Sequence, residues 1–191
     1  QRVKSTNPKV LLAPTWGEQS LLERHGLQPI KILLQTGFDI IIRPHSKTIE
    51  SCPDLVIELQ KLSLEERSVT LELNNHSLAS IFQADIMVSD WSGVALEFAF
   101  VNLSPVIFVD VPQKVNNPQF RLFEIEPIEA SLRSVVGKVV PESDLEKLPE
   151  FVEEMLAFRK YFRKKISHAR LASVFNLGKS GIVGAEALIK L

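Results

Sequence analysis

Short apolar runs alternate with helix-like stretches along the first two thirds of the chain, and this alternation most constrains the fold. Most of the runs are apolar at consecutive positions, which is typical of strands buried on both faces in a parallel sheet. Five runs are predicted to be strands, at 9–14, 38–43, 68–73, 85–89 and 106–109. With right-handed crossovers, the sequence predicts an α/β fold, a Rossmann-like doubly wound parallel sheet.

Helices are predicted between these runs and in the C-terminal part of the chain. The predicted segments are 27–36, 53–64, 77–84 and 92–101, followed by 144–158, 159–170 and 182–191. Segment 111–127 is a long polar loop with three prolines, and loops of this length are often functional or mobile. We interpret 1–191 as a single domain, with the helices of 142–191 packed back on the sheet.

Composition limits the function classes. The formal net charge of -1 gives no support for binding to nucleic acid. The single cysteine, Cys52, excludes an intramolecular disulfide framework. No apolar run approaches the roughly 20 residues of a membrane span, and no signal peptide is visible, so we expect a cytoplasmic protein.

Two features leave alternatives open. The basic run 159–170 is either a solvated helix face or a contact with an anionic membrane surface, which would place the protein peripherally at the inner face of the plasma membrane. The chain begins with Gln1 directly before a strand-like run, which indicates either a piece of a longer protein or N-terminal processing.

Polar side chains cluster where the predicted strands end. Ligands bind at the carboxyl ends of the strands in an open parallel sheet, so these positions are the candidate site. They are Thr15, Trp16, Arg43, His45, Ser46, Asn74, Asn75, His76, Ser77, Asp90, Trp91, Ser92, Gly93 and Asp110. The set lacks a carboxylate cluster for a metal ion. It predicts an anion site, with phosphate as the favoured ligand and no metal.

The stretch from Asp90 to Gly93 is the most informative of these elements. Asp90 or Ser92 is placed to cap the following helix, and Gly93 lets a ligand approach the backbone. A helix N-terminus offers free N–H groups and a positive dipole end to a phosphate. A plain capped helix start is the alternative interpretation. Neither G-x-G-x-x-G nor a Walker A loop is present.

The other strand ends supply further candidates. Arg43 is suited to two charge-assisted hydrogen bonds with a phosphate, and His45 to donating a proton or hydrogen bond. A surface arginine and an ordinary loop histidine are the alternatives. Trp16, His76 and Glu97 are candidate nucleoside contacts, through base stacking or a ribose hydroxyl, although core lids and solvated helix faces are commoner roles for such residues.

Three motifs, in order and spacing, resemble those of the CDP-glycerol glycerophosphotransferases, the family of teichoic-acid polymerases and primases. They are APTW at 13–16, RPH at 43–45 and ADIMVSDWSGVALEFAF at 84–100. The resemblance covers about 9–110 and fades through the helical tail. A polar stretch at 176–180 is similar to a segment near the family's C-terminus.

This resemblance implies a GT-B fold, in which two Rossmann-like domains face each other across a cleft. The chain looks like the C-terminal, nucleotide-binding half, and the N-terminal half would lie outside it. His45 would contact the donor diphosphate and take part in catalysis. The predicted phosphate site is formed by Thr15, Arg43, Ser46, Asp90, Ser92 and the backbone of Gly93. The sequence departs from the family at Gly93, where the family has a second serine, and at Ser46, where it often has proline.

The resulting prediction is a transferase that moves glycerol phosphate, or a related polyol phosphate, from a CDP-linked donor to an acceptor hydroxyl. The acceptor would be a polymer or lipid-linked molecule of cell-wall or capsule synthesis, and no cofactor is expected. The general base for the acceptor hydroxyl would come from the facing domain. We therefore expect this chain alone to bind nucleotide weakly and to show no turnover. The alternatives are a nucleotide-sugar-dependent GT-B glycosyltransferase or epimerase, and a non-catalytic nucleotide-binding domain, which the glycine at 93 would favour.

Overall fold

The computed structural model describes residues 7–74, 76–113, 115, 117, 119, 122 and 126–190. In this part of the chain, six strands form one parallel sheet in the order β3-β2-β1-β4-β5-β6. They are β1 (Lys9–Leu12), β2 (Asp39–Ile42), β3 (Val69–Leu71), β4 (Ile86–Ser89), β5 (Val106–Asp110) and β6 (Gly137–Pro141). The predicted Rossmann-like parallel sheet is confirmed, and β6 is a strand that the sequence pattern missed.

Helices follow the strands in the order expected for a doubly wound sheet. They are α1 (Leu21–His25), α2 (Gln28–Leu34), α3 (Ser46–Ser51), α4 (Pro53–Glu65), α5 (Ala79–Gln83), α6 (Val94–Asn102), α7 (Ile128–Ser131), α8 (Arg133–Val136), a 3-10 helix (Glu142–Lys147), α9 (Leu148–Ala157), α10 (Arg159–Ser173) and α11 (Ser180–Ile189). The short helices α1, α3, α7 and α8 were not predicted. In the described part of the chain, no helix is both long and apolar enough to cross a membrane.

The sheet has an apolar layer on each face, because successive strand residues point to opposite sides. Leu12 and its neighbours Ile42 and Val88 pack with α2, α4 and α9 on one face. Leu11 packs with α6 and α10 on the other, together with Ile41 and Met87. This two-sided burial explains why the strands are apolar at consecutive positions.

The sixth strand depends on a glycine at its first position. Gly137 pairs with Val106 at the start of the β5–β6 ladder. A Cβ atom added at Gly137 would lie 1.8 Å from the carbonyl oxygen of Val106. Since no side chain fits that gap, only glycine lets β6 approach β5 at this point.

The C-terminal helices differ in how they contact the sheet. α9 buries Val152 and Met155, and α10 buries Ile166 and Ala169. α11 has no buried residue, so the expected packing of the tail on the sheet does not extend to it. Much of the predicted loop 111–127, together with Gln1 and Asn75, lies outside the described residues.

Candidate anion-binding site at the carboxyl edge of the sheet

A cavity of about 280 Å³ opens where β1, β2 and β4 end. Its lining is Ala13, Pro14 and Thr15 after β1; Arg43, Pro44, His45 and Ser46 after β2; and Ser92, Gly93 and Val94 at the start of α6. The structure therefore brings together six residues of the predicted site: Thr15, Arg43, His45, Ser46, Ser92 and Gly93. This lining contains no carboxylate side chain, which suits an anion.

The N-terminus of α6 forms one wall of this cavity. Gly93 is the N-cap residue, and no side chain caps the helix, so the prediction of a cap by Asp90 or Ser92 was wrong. A Cβ atom added at Gly93 would meet nothing within 4 Å. The first turn is thus open to a ligand, and its dipole favours an anion there.

His45 contributes a ring whose orientation is fixed by the next helix. Its Nδ1 accepts a hydrogen bond of 3.1 Å from the backbone N–H of Lys47, which makes His45 the N-cap of α3. This hydrogen bond assigns the proton of a neutral imidazole to Nε2. The ring centroid of Trp16 lies 6.1 Å from that of His45. The Nδ1 atom is therefore engaged by α3, and Nε2 is the ring nitrogen that carries the proton.

Arg43 is held in the wall of the cavity by the chain that follows β3. Its Nη1 donates to the carbonyl oxygen of Ser77 at 2.7 Å and to the hydroxyl oxygen of Ser80 at 3.0 Å. Its Nη1 also lies 3.5 Å from a carboxylate oxygen of Glu72. The guanidinium ties the end of β2 to α5 and to the segment just before it. Its direct contact with a phosphate stays a prediction.

Asp90 is buried beneath the cavity. Its two carboxylate oxygens accept the backbone N–H groups of Thr15 at 2.7 Å and Leu21 at 2.9 Å. Burial raises the pKa of this carboxyl above its ordinary value, while the N–H groups of Leu21 and Thr15 act in the opposite direction. Asp90 thus positions the loop that carries Thr15, and the geometry does not support the predicted direct contact with a phosphate.

Glu23 is a positioning residue that sequence reasoning missed. Its Oε1 accepts the backbone N–H of Gly17 at 2.9 Å and the hydroxyl of buried Thr48 at 2.7 Å. These bonds join the loop after β1 to α3, which carries His45 at its start. The Ser-x-x-Glu spacing of Ser20 and Glu23 is a capping-box signal, and Ser20 does cap α1. This spacing alone does not indicate that the Glu23 carboxylate contacts Thr48 on α3.

A second cavity of about 370 Å³ adjoins the first and shares Thr15 and Gly93 with it. The rest of its lining is Trp16, Trp91, Gln113, Pro127, Glu129 and Ala130. The indole N–H of Trp91 donates to the carbonyl oxygen of Val111 at 2.9 Å. The guanidinium of buried Arg133 stacks 3.8 Å from the centroid of the same ring. Trp91 is therefore a fixed wall between this cavity and the interior.

His76 and Glu97 line neither cavity, and both are exposed. Their roles as nucleoside contacts stay predictions. A larger cavity of about 450 Å³ runs beside β2, β3 and α5 as far as the amino ends of the strands, at Lys9, Asp39 and Arg67. It includes Asn74 and Ser80 but none of the residues around His45, so it is not part of the candidate site.

Comparison with known proteins finds similarity at the level of structure only. No protein-family model matches the sequence, and no curated protein sequence matches it. UDP-GlcNAc 2-epimerase from Neisseria meningitidis, solved bound to UDP-GlcNAc, has a TM-score of 0.56 at 16% identity, over 98% of this chain and 45% of that one. TarM has a TM-score of 0.54 at 12% identity, over 95% of this chain and 34% of TarM. The spinosyn rhamnosyltransferase SpnG has a TM-score of 0.52 at 12% identity, over 88% of this chain and 44% of SpnG.

These similarities define the class of fold. The chain has the Rossmann-like fold of one half of a GT-B protein, as predicted. It spans less than half the length of each of these three structures. The identities of 12–16% carry no information on substrate.

Proposed function

We propose that this chain is the donor-binding half of a transferase that moves glycerol phosphate, or a related polyol phosphate, from a CDP-linked donor to an acceptor hydroxyl. The observation that carries the proposal is the convergence of three separate motifs on one cavity. APTW, RPH and SDWSG are 27 or more residues apart in sequence, and each contributes to its lining. These are the motifs that resemble the CDP-glycerol glycerophosphotransferases.

The cavity supports a diphosphate as ligand. The uncapped start of α6 offers a positive dipole end, and Ser92 and Thr15 add hydroxyl groups beside it. His45 adds Nε2–H from the opposite strand end. Groups that are fixed in this way before the ligand arrives stabilise the negative charge that develops in the transition state. In many enzymes, this stabilisation is the largest contribution to the rate enhancement.

The proposed reaction exchanges one bond to phosphorus for another. The acceptor oxygen forms a bond to the phosphorus of the transferred group, and the bond from that phosphorus to the bridging oxygen breaks. CMP leaves with the electron pair, and His45 Nε2–H donates a hydrogen bond to the oxygen on which charge develops. The proton of the acceptor hydroxyl passes to a base in the facing half of the full-length protein.

Calorimetry with the isolated 191-residue chain tests donor binding. We expect CDP-glycerol and CMP to bind with dissociation constants near the millimolar range, about -4 kcal/mol, and no turnover. Glycerol should give no heat, because it lacks the phosphates. Gly93→Val is expected to weaken binding by filling the cavity, since this position has open space around it. Absence of heat at millimolar CDP-glycerol, with an intact circular dichroism spectrum, would contradict the proposal.

A second candidate is a transferase or epimerase that uses a nucleotide sugar. The observation in its favour is that the structures similar to this chain include an epimerase bound to UDP-GlcNAc and a rhamnosyltransferase. A screen of CDP-glycerol, CDP-ribitol and UDP-GlcNAc under identical conditions separates the two. Tighter binding of UDP-GlcNAc than of either CDP-polyol would favour the second candidate.

A further inference from the structure

Among the described residues, the only buried basic side chain lies against a wall of the candidate site. Arg133, the first residue of α8, is 5% exposed. Its guanidinium lies over two aromatic rings, 3.8 Å from the centroid of Trp91 and 5.3 Å from that of Phe108. Trp91 lines the second cavity, which shares Thr15 with the first. A buried cation therefore supports one of the surfaces that a ligand would meet.

Burial of this guanidinium is unfavourable, because two of its nitrogen atoms lack partners. Nη1 donates to Asp110 Oδ1 at 3.0 Å, but Nε and Nη2 are buried and have no hydrogen-bond partner in the described part of the chain. Buried donors without partners lower stability. The Asp110 side chain is 49% exposed, so water would solvate its carboxylate if the arginine were replaced. An apolar side chain of similar length should therefore stabilise the fold at least as well, as is often found when buried ion pairs are replaced.

The guanidinium fixes the indole of Trp91 in a way that an apolar side chain does not. A planar cation over an indole is held by the electrostatic attraction of the ring face, and this attraction depends on geometry. The indole N–H donates to the carbonyl oxygen of Val111 at 2.9 Å, which holds the ring at a second point. Arg133 lines neither cavity, so the second cavity meets the ring on a side that the guanidinium does not cover. The ring is thus held from the interior and accessible from the cavity.

We propose that Arg133 is a positioning residue for the nucleoside of the donor. It holds the Trp91 ring in the orientation in which the base stacks on it, and it touches neither the base nor the phosphates. A nucleotide whose phosphates lie at the start of α6 extends into the second cavity, since Gly93 lines both cavities. Stacking on an aromatic side chain raises affinity by roughly five- to 150-fold per base. This inference rests on the proposed function, because it needs a donor that carries a nucleoside.

Comparison of two ligands separates this role from a structural one. CMP carries the base, whereas pyrophosphate offers phosphates alone. Dissociation constants for both are measured on the intact 191-residue chain from chemical-shift changes in nitrogen–proton correlation NMR spectra, which also report the fold. We expect Arg133→Met to weaken CMP binding by on the order of tenfold and to leave pyrophosphate binding unchanged. The urea denaturation midpoint of this variant should be no lower than that of the wild-type chain.

Two further variants test whether Arg133 acts through Trp91. Trp91→Leu removes the ring, so the double variant with Arg133→Met should bind CMP no more weakly than Trp91→Leu alone. Arg133→Lys keeps the charge but places no planar group over the indole, and it should recover only part of the lost affinity. If Trp91→Leu does not fold, the contrast between CMP and pyrophosphate in Arg133→Met decides by itself.

Arg170→Met is the matched control. The Nε atom of Arg170 is also buried without a partner in the described part of the chain, but this arginine lies on α10 and lines neither cavity. The variant loses the same charge, and it should bind CMP and pyrophosphate as the wild-type chain does.

Several outcomes would overturn the inference. Equal weakening of CMP and pyrophosphate binding by Arg133→Met would indicate that the cation acts on the phosphates by its charge. A fall in the urea midpoint that accompanies the loss of binding would indicate a structural role. Additive losses in the double variant would show that Arg133 does not act through Trp91. Unchanged CMP binding by Arg133→Met would overturn the inference alone, whereas a wild-type chain that binds neither CMP nor CDP-glycerol would contradict the proposed function itself.

Discussion

At the scale of single residues, His45 combines two roles that one substitution can separate. It caps α3 through Nδ1, and the proposed function assigns its Nε2–H a hydrogen bond to the donor diphosphate. Asparagine is a good N-cap residue but reaches less far, so His45→Asn in the full-length protein should keep the fold. We expect turnover to fall by about 10²–10⁴-fold, the usual contribution of a positioned proton donor.

Steady-state kinetics and thermal unfolding of the same preparations check this prediction. His168→Asn is the matched control, because His168 is exposed on α10 and lies outside the cavity. It should retain wild-type turnover. Near-normal turnover of His45→Asn would remove His45 from the mechanism. A fall in turnover together with a large loss of thermal stability would show that its role is structural.

The sequence predicted which residues gather at this site, but not which way each side chain points. A parallel sheet brings its carboxyl ends together, so Thr15, His45 and Ser92 could be placed from the order of the strands alone. Asp90 was predicted to face the ligand, yet two backbone N–H groups draw its carboxylate inward. Those partners come from a loop 69 to 75 residues away, and no local pattern reports such contacts.

At the scale of secondary-structure elements, β6 depends on the missing side chain at Gly137. Gly137→Ala would place a methyl group 1.8 Å from a carbonyl oxygen of β5, so the strands must separate locally. We expect a loss of about 3 kcal/mol in the free energy of unfolding, at the upper end of typical overpacking costs. Urea denaturation followed by circular dichroism measures it.

Gly93→Ala is the matched control for this prediction. Gly93 has φ of -61°, and a Cβ atom added there would meet open space, so alanine should change stability by less than about 0.5 kcal/mol. Similar losses in the two variants would mean that the effect is a general response to losing glycine and that close approach of β5 and β6 is not its cause.

Elements with long apolar runs were predictable, and short ones were not. Ile86–Ser89 is buried at every position and stands out in the sequence. β6 reads Gly-Lys-Val-Val-Pro, with two apolar β-branched residues between a glycine and a proline, and such a run does not distinguish a strand from a loop. The 182–191 pattern correctly predicted a helix. It could not reveal that α11 lies away from the sheet, because periodicity does not identify the surface that covers a helix.

Glu142 links α1 to the 3-10 helix and makes stability depend on pH. The Arg24 side chain, and after it His25, holds the pKa of Glu142 below its ordinary value of 4.5, against the opposing effect of partial burial. The folded state therefore binds a proton less readily than the unfolded chain. The stability that ionised Glu142 adds to the folded state is therefore complete above pH 4.5, and it is lost as the pH falls through the lowered pKa.

Urea denaturation midpoints, measured between about pH 3 and pH 6, test the direction of this pH dependence. The range brackets the ordinary pKa of glutamate. Glu142→Gln should flatten the fall in stability below pH 4.5 and lower stability slightly above it. Arg24→Gln, which removes the main partner of the Glu142 carboxylate, should flatten the same fall. An unchanged slope in Glu142→Gln would contradict the assignment.

At the scale of the whole molecule, the two C-terminal helices should contribute very unequally to stability. α10 buries Ile166 and Ala169 against the sheet, whereas α11 buries nothing. A chain ending at Val174 should therefore unfold within about 0.5 kcal/mol of the full chain, with the same dependence on urea. A chain ending at Ala157 exposes the apolar face that Ile166 covers, so it should lose at least about 3 kcal/mol.

Equilibrium urea denaturation of the full chain and of both truncated chains measures these differences. Each truncated chain is first checked for a native circular dichroism spectrum. Marked destabilisation by the loss of 175–191 alone would contradict the prediction, because it would show that α11 packs on the domain in solution.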